Sequence, residues 1–348
     1  MKVVIAGFPR VGKTTVFQSL TGLAETSAGG KGGVARGVIR VPDARVDKLS
    51  EIYQPKKTTF ATISFVDVQA EGASAEKVTL LSPALLAEVR DADAVVGVVR
   101  DFPALTGEAP DSSRELVRLE EELVLADYAV VEKRLERLAR EAKKTQEEAL
   151  LKRLVEALGE GRPLRTIEIS AADEKVLSGY QLVSRKPLLV VLNRDDARAA
   201  EPVPEAIDAE ARKNGAEVLA LAGNLEREIA ELPPEDQAPF LRDAGLEASA
   251  RDRFVQAAYR LLDLLSFLTS GEDEVRAWSI RRGTVAQRAA GKIHSDIEKG
   301  FIRAEVISYD DFIRFGSEAE CKKAGKARLE GKEYIVADGD IVHFRFNV

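Results

Sequence analysis

Eight residues near the start of the chain constrain its fold more than any other feature. Residues 7–14 read GFPRVGKT, which matches the pattern GxxxxGK[ST], and they stand between the apolar run VVIAG and the helical pattern TTVFQSLTG. Glycines allow successive backbone amides to surround an anion, and the start of the following helix adds a positive dipole end. The motif therefore predicts a phosphate-binding loop between the first strand and the first helix of an α/β sheet.

The residue types in this loop predict a bound nucleotide with Mg²⁺. Lys13 is expected to reach the β and γ phosphates, and the Thr14 hydroxyl is expected to ligate the metal. Asp67 ends the strand pattern ATISFVDV, where a carboxylate would support the same ion. The residues of this region expected to contact the nucleotide are Gly7, Pro9, Arg10, Val11, Gly12, Lys13, Thr14 and Thr15.

A second polar loop follows the apolar run LLVVL and predicts a site for the base. Asn193 and Asp196 have the spacing of a guanine-binding loop, and the stem of Arg194 could cover the base. A carboxylate can accept two hydrogen bonds from the N1 and N2 edge of guanine, and adenine has no such pair of donors, so we favour GTP over ATP. The alternative is an ordinary loop in which an aspartate caps the next helix. Ala222, Gly223 and Asn224 follow the next strand, where a second base-contacting loop is expected.

The apolar periodicity divides the chain into three predicted domains. Strand-like runs alternate with helical patterns in residues 1–112 and 184–275, which indicates a parallel sheet. Residues 113–183 begin with apolar positions spaced by three and four, typical of an inserted antiparallel helical hairpin. Residues 276–348 predict a small α+β domain whose last two strands turn at Asp338-Gly339.

The composition bounds the partners and the compartment. The chain has 348 residues, a net charge of −7 and a single cysteine, so no intrachain disulfide can form. The negative charge gives no general attraction to DNA or to a membrane, and no apolar run is long enough to span a bilayer. We therefore expect a cytoplasmic monomer with neither DNA nor a membrane as a partner.

Taken over its full length, the chain resembles the YchF/Obg-like ATPase family. The motifs that carry the resemblance are GFPRVGKTT, VPDARVDKLSEIYQPKKT, FVDVQ, EVRAWSIRRGTVAQRAAGKIHSDIEKGFIRAEVISYDDF and GKEYIVADGDIVHFRFNV. The resemblance implies a TRAFAC-class P-loop NTPase: a G domain, an inserted helical hairpin and a C-terminal TGS domain of the β-grasp type. It also implies slow nucleotide hydrolysis and an association with ribosomes or translation.

Several residues depart from the family pattern. Arg10 replaces an asparagine that helps to ligate potassium in related NTPases, so a potassium requirement is doubtful, and we hypothesise that the Arg10 guanidinium replaces that ion. Residues 27–43 contain no threonine in the register of the first switch, and Ala70 replaces a glycine of the second. Glu71 replaces an apolar residue; it could orient water or repel the γ phosphate, and we favour repulsion. Asp196 stands where members that prefer ATP carry glutamate.

Three functions remain open from the sequence. The first is a slow NTPase in which Lys13, Arg10 and Glu71 lie at the reacting phosphate. The second is a nucleotide-binding adaptor with little or no hydrolysis, which contacts ribosomal RNA or protein through the TGS domain and the hairpin. The third, weaker reading is an RNA-binding module with a vestigial NTPase domain. Its basic patch would comprise Arg281, Arg282, Arg288, Lys292, Lys299 and Arg303.

Overall fold

The computed structural model describes residues 1–22, 33–68, 80–141 and 146–347. The chain forms two compact units, one of residues 1–39 and 64–261 and the other of residues 40–63 and 262–348. Within the described ranges, no helix combines the length and the apolar character that a membrane crossing requires.

A six-stranded sheet forms the centre of the first unit. Its strands are β1 (Lys2–Ala6), β2 (Val34–Arg40), β4 (Thr62–Val68), β5 (Ala94–Asp101), β6 (Leu188–Arg194) and β7 (Ala216–Leu221). They lie in the order β2-β4-β1-β5-β6-β7, and β1 pairs in parallel with β4 and β5, as β6 does with β5 and β7. Every residue of β6 is buried, as expected for a parallel strand covered on both faces.

Nine helices belong to the described part of this unit. They are α1 (Lys13–Thr21), α3 (Pro83–Arg90), α4 (Ser112–Glu141), α5 (Gln146–Gly159), α6 (Ala171–Leu177), α7 (Glu205–Lys213), α8 (Gly223–Glu231), α9 (Pro234–Asp243) and α10 (Ala250–Leu261). Helix α1 ends at Gly22, whose φ of 67° places it in the left-handed region that favours glycine at a helix end. Ser82 begins α3 by accepting a hydrogen bond from the Leu85 amide at 3.2 Å.

Helices α4 and α5 form the predicted hairpin around a leucine core. The three-four spacing places these leucines on facing sides of the two helices, and the buried members are Leu138, Leu150, Leu151, Leu154 and Leu158. Arg134 of α4 and Glu147 of α5 join through two hydrogen bonds of 2.9 Å. The predicted fold class, an α/β unit with an inserted helical hairpin and a small α+β part, is confirmed.

The second unit is built on a second six-stranded sheet. Its elements are α2 (Ala44–Tyr53), β3 (Lys57–Thr59), β8 (Leu264–Thr269), β9 (Glu274–Arg281), α11 (Ala286–Ile293), α12 (Ser295–Lys299), β10 (Phe301–Ser308), α13 (Tyr309–Phe315), α14 (Glu318–Lys323), β11 (Arg328–Glu330) and β12 (Asp340–Phe346). The strand order is β11-β10-β12-β8-β9-β3, and the core contains Phe267, Phe301 and Phe344.

Residues 40–63 are an integral part of this second unit. Strand β3 pairs in parallel with β9, with Lys57 opposite Glu274. The ring of Tyr53 in α2 stacks on Phe312 with centroids 5.7 Å apart, and its hydroxyl donates to Glu318 at 3.0 Å. The sequence patterns did not indicate this grouping. The three-domain boundaries drawn from the sequence stay a prediction.

The predicted final strand pair is wrong in one respect. The segment before Asp338-Gly339 forms no strand; among the described residues its only ladder contact is an isolated bridge between Ile335 and Val285. Strand β12 pairs instead with β10 and, in parallel, with β8. Gly339 has a φ of 80°, so it turns the chain into β12 without closing a hairpin.

Candidate functional site

The loop from Gly7 to Gly12 joins β1 to α1 in a conformation that requires glycine at two points. A Cβ on Gly7 would lie 2.7 Å from the carbonyl oxygen of Val98 in β5. Gly12 has a φ of 86°, and a Cβ there would overlap the side-chain nitrogen of Asn193. Small residues thus allow the loop to pass close to the sheet and to wrap around the start of α1.

The side chain of Lys13 is held over this loop by backbone carbonyl groups of the loop itself. Its Nζ donates to the carbonyl oxygens of Gly7 at 2.7 Å and Phe8 at 3.2 Å. Burial lowers the pKa of the Lys13 amine, and the nearby Asp67 carboxylate opposes that shift. The amine is therefore positioned where an anion in the loop would meet it.

Thr14 and Asp67 bring two oxygen ligands together beside Lys13. The Thr14 hydroxyl donates to Asp67 Oδ2 at 3.4 Å. Asp67 is only 1% exposed, and its Oδ1 has no hydrogen-bond partner in the described part of the chain. Burial raises the pKa of the Asp67 carboxyl, and the charge of Lys13 and the Thr14 hydrogen bond act against this rise. An unpaired buried carboxylate oxygen is costly unless a cation or a water satisfies it.

These side chains line one cavity of about 270 Å³. Its walls are Pro9, Arg10, Gly12, Lys13, Thr14, Thr15 and Asp67. Arg10 is exposed and has a φ of 68°, which is uncommon for a residue with a side chain. Six of the eight loop residues predicted from the sequence thus line this cavity together with Asp67, whereas Gly7 and Val11 are buried and do not line it.

A second, smaller cavity of about 110 Å³ adjoins the first. Its walls are Gly12, Thr15, Phe102, Asn193, Arg194, Asp195, Asp196 and Asn224. Gly12 and Thr15 line both cavities, so a single ligand could extend from one into the other. Sequence reasoning missed Phe102, whereas Asn224 belongs to the expected second base-contacting loop. The available signal for Phe102 was its place directly after the buried run of β5, at the sheet edge where ligands bind.

The side chain of Asn193 links the phosphate loop to the start of α8. Its Nδ2 donates to the Val11 carbonyl oxygen at 2.9 Å, and its Oδ1 accepts from the Gly223 amide at 3.1 Å. Both halves of the amide are thus engaged by the protein. The neighbouring Ala222 is buried and donates its amide to Glu226 at 3.3 Å.

Asp196 is exposed, and its Oδ1 accepts a hydrogen bond from the Leu225 amide in the first turn of α8 at 3.1 Å. Arg194 differs from its predicted role, because its side chain is fully buried and lies 3.5 Å from Asp101. Its guanidinium donates to main-chain carbonyls of the following loop instead. The prediction that its stem covers the base is wrong. Ala70, Glu71 and most of the glycine-rich run 27–33 lie outside the described residues.

This geometry defines a class of protein. A strand, a glycine loop and a helix bring lysine, threonine and a strand-terminal aspartate to one cavity, and an asparagine–aspartate loop borders the next. That arrangement is the nucleotide site of a P-loop NTPase.

Comparison with known proteins identifies the family within this class. The family model YchF-GTPase_C, described as "Protein of unknown function (DUF933)", matches residues 264–347. The ribosome-binding ATPase YchF of Bacillus subtilis (strain 168) is 38% identical over 362 residues, covering 99% of this chain and 98% of that protein. The corresponding protein of Escherichia coli O157:H7 is 36% identical, covering 100% and 99%. The chain belongs to the YchF family.

Solved structures agree with this assignment. The Schizosaccharomyces pombe YchF GTPase is 29% identical, with a TM-score of 0.85, and the match covers 99% of this chain and 97% of that one. A GTP binding protein from Pyrococcus horikoshii OT3 is 18% identical with a TM-score of 0.60 over both full lengths, which shows a shared fold alone. The family resemblance drawn from the motifs is confirmed, and the relatives' names include both ATPase and GTPase.

Proposed function

We propose that this protein is a slow, Mg²⁺-dependent purine nucleoside triphosphatase that favours GTP over ATP and acts with the ribosome in the cytoplasm. The observation that carries the proposal is the convergence of Lys13, Thr14 and Asp67 on one cavity that adjoins a second. The ribosomal part rests on the relatives, which are named ribosome-binding ATPases. We further propose that the protein is monomeric.

Lys13 would exchange its two loop carbonyl partners for phosphate oxygens. The anionic phosphates would favour the protonated amine and so raise the pKa that burial has lowered. In this class of site, catalysis comes mainly from positioning and from stabilising negative charge. Removing the amine should therefore weaken binding and stop hydrolysis.

Thr14 and Asp67 fit a bound magnesium ion, because hydroxyl and carboxylate oxygens are the ligands that Mg²⁺ prefers. The unpaired Asp67 Oδ1 supplies the acceptor that such a site needs. In the ranges that the structure describes, no three His, Cys, Asp or Glu residues form a metal-binding group. The remaining ligands would thus be phosphate oxygens and water, so metal and nucleotide should bind together. When bound, the ion would neutralise charge on the phosphates.

Phe102 and Asp196 are proposed to recognise the base. The Phe102 ring would offer a stacking surface to either purine, and the Asp196 carboxylate would accept from the guanine N1 and N2 edge. Asn193 would hold the surrounding loops through its Val11 and Gly223 contacts. Ala222 and Gly223 would contribute backbone groups.

The proposed slow turnover follows from the residues near the γ phosphate. Glu71 would set a negative charge beside the γ phosphate and repel it, whereas Arg10 would place a guanidinium over the phosphates. The lack of a threonine in residues 27–43 and the presence of Ala70 also favour the second candidate, a nucleotide-binding adaptor. In that case the bound nucleotide would stabilise the fold without turnover, and the hairpin and the second unit would contact ribosomal RNA or protein.

One experiment separates these functions. Purified protein is titrated with fluorescent GTP and ATP analogues in the presence of Mg²⁺, and phosphate release is followed in the same samples. We expect saturable binding, tighter for GTP, with slow release that Lys13→Ala abolishes. Lys213→Ala is the matched control, because Lys213 is paired with Glu210 on the exposed face of α7.

The other outcomes test each part of the proposal separately. Saturable binding without release supports the adaptor, and tighter ATP binding overturns the preference for GTP. Absence of binding to either nucleotide overturns both functions.

A further inference from the structure

Arg194 and Asp101 form a buried ion pair between the ends of two neighbouring strands. Asp101 ends β5, Arg194 ends β6, and the two residues are directly opposite in the parallel register. Arg194 Nε lies 3.5 Å from Asp101 Oδ2, and the two side chains are 0% and 7% exposed. Removing one partner of a buried ion pair is strongly destabilising, because the other charge then remains buried without that partner.

The terminal nitrogens of Arg194 close the loop that follows β6, whereas its Nε has no hydrogen-bond partner in the described part of the chain. The guanidinium donates to the carbonyl oxygens of Arg198 at 3.3 Å and Pro202 at 3.5 Å, and also to that of Glu201. Arg198 adds a second cation to Asp101, with its Nη1 at 3.1 Å from Asp101 Oδ1. One arginine thus ties residues 198–202 to the end of β5.

The residues of this network are sequence neighbours of residues that line the cavity assigned to the base. Asp101 is followed by Phe102, and Arg194 lies between Asn193 and Asp195 in the chain; these three neighbours all line the cavity. Arg194 also borders the cavity, although its side chain is wholly buried. The pair therefore joins the two neighbouring strand ends that carry Phe102 on one side and Asn193 and Asp195 on the other.

We propose that Arg194 and Asp101 are a positioning pair, which fixes the separation of the Phe102 wall and the Asn193–Asp196 wall and so sets the affinity for the nucleotide. The inference rests on the proposed function of this cavity. Because the pair fixes both the Phe102 wall, which would face either purine, and the Asp196 wall, which would read guanine, both affinities depend on it, that for GTP at least as strongly as that for ATP. The phosphate cavity is formed by other residues, so turnover of bound nucleotide does not depend on the pair.

The test is Arg194→Met, which keeps much of the stem but removes the charge and the donors. We expect the Kd values for Mg-GTP and Mg-ATP both to rise, by about tenfold or more, with the value for Mg-GTP rising at least as much as that for Mg-ATP. The rate of phosphate release at saturating nucleotide should stay within about twofold of wild type. Asp101→Asn should have a similar effect, and the double variant should bind no more weakly than the worse single variant.

Arg165→Met is the matched control, because Arg165 is also a buried arginine of the first unit. It pairs with Glu120 and donates to the carbonyl oxygens of Asn214 and Ser184, and it lines neither of the two cavities. This control should lower the melting temperature while leaving both Kd values unchanged. If Arg165→Met weakens binding as much as Arg194→Met does, the effect is general destabilisation and the positioning role is wrong.

Other outcomes are equally decisive. Unchanged Kd values in Arg194→Met, with wild-type binding intact, overturn this inference and leave the proposed function standing. A wild-type protein that binds no nucleotide overturns the proposed function itself. Should Arg194→Met not fold, Arg194→Lys keeps a charge near Asp101 but cannot reach all three carbonyls, and unchanged Kd values for this variant also contradict the proposal.

Discussion

At the scale of single residues, Asp67 links stability to pH. Burial raises the pKa of its carboxyl above the usual value of 3.8, so the folded state binds a proton more tightly than the unfolded chain does. The nucleotide-free protein should therefore lose stability as the pH rises from the unfolded pKa through the folded one. Asp67→Asn removes this loss, so it should raise the melting temperature at neutral pH and have little effect at acidic pH.

The melting temperatures of the wild type and of Asp67→Asn are measured without nucleotide, from acidic to neutral pH. Added Mg²⁺ with nucleotide should make the wild type melt above the variant at neutral pH, because only the wild type retains the carboxylate that would ligate the metal. A variant that melts below wild type at neutral pH without nucleotide would argue against burial as the dominant influence on Asp67.

Arg10 predicts an unusual response to monovalent cations. Its φ of 68° is a conformation that asparagine adopts more readily, so Arg10→Asn should fold normally. If the guanidinium replaces a potassium ion, wild-type phosphate release should be equal in sodium and potassium, and the variant should be faster in potassium. Equal rates in both salts for both proteins would refute this role.

Phe102 and Asp196 should affect nucleotide binding differently. Phe102→Ala should weaken GTP and ATP alike, by roughly 1–3 kcal/mol, because stacking on an aromatic ring tolerates any base. Asp196→Ala should weaken GTP alone, by roughly 1–3 kcal/mol, since only guanine offers the paired donors. Titration of both variants with both nucleotides checks this, and an equal loss for ATP in Asp196→Ala would remove the guanine assignment.

At the scale of secondary-structure elements, the hairpin core should be separable from the nucleotide site. Leu154 is fully buried between α4 and α5, so Leu154→Ala should destabilise the hairpin by about 2–5 kcal/mol. Leu125 on α4 is 63% exposed, and Leu125→Ala is the control that should change stability little. Circular dichroism melts measure stability, and nucleotide titration at low temperature should give wild-type Kd values for both variants.

The elements that could be predicted from the sequence are those with strong local signals. Helix α1, strands β1, β4 and β6, and the α4–α5 hairpin follow from apolar periodicity and from Gly22 as a helix end. The phosphate loop followed from its spacing alone. In each case the information lies within about a dozen neighbouring residues.

The features that could not be predicted depend on distant partners. Strand β3 has three residues and exists through its pairing with β9, more than two hundred positions later in the chain. The direction of the Arg194 side chain is set by Asp101, on another strand. Residues 333–337 read as a strand, but among the residues that the structure describes no neighbouring strand completes a ladder with them. Propensity describes what a segment can do, and tertiary contacts decide which possibility is realised.

At the scale of the whole molecule, α2 should unfold together with the second sheet. Cooperative units open together, and α2 shares its unit with β8 and β9 although it lies between β2 and β4 in the chain. In native-state hydrogen exchange at low denaturant, amides of α2 should show the opening free energy of β8 and β9. Amides of α1 are the control and should follow β1. Exchange of α2 with β1 would contradict the grouping.

The second unit is formed by two separate stretches of the chain, and this limits which gene segments can be exchanged between relatives. The family model covers residues 264–347, whereas the folded unit also includes residues 40–63. A recombination event that replaced only the later stretch would set a foreign β9 beside a resident β3, and a foreign Phe312 position beside a resident Tyr53. The two stretches must therefore be inherited as one set, and a chimaera of two relatives should be exchanged at both stretches together.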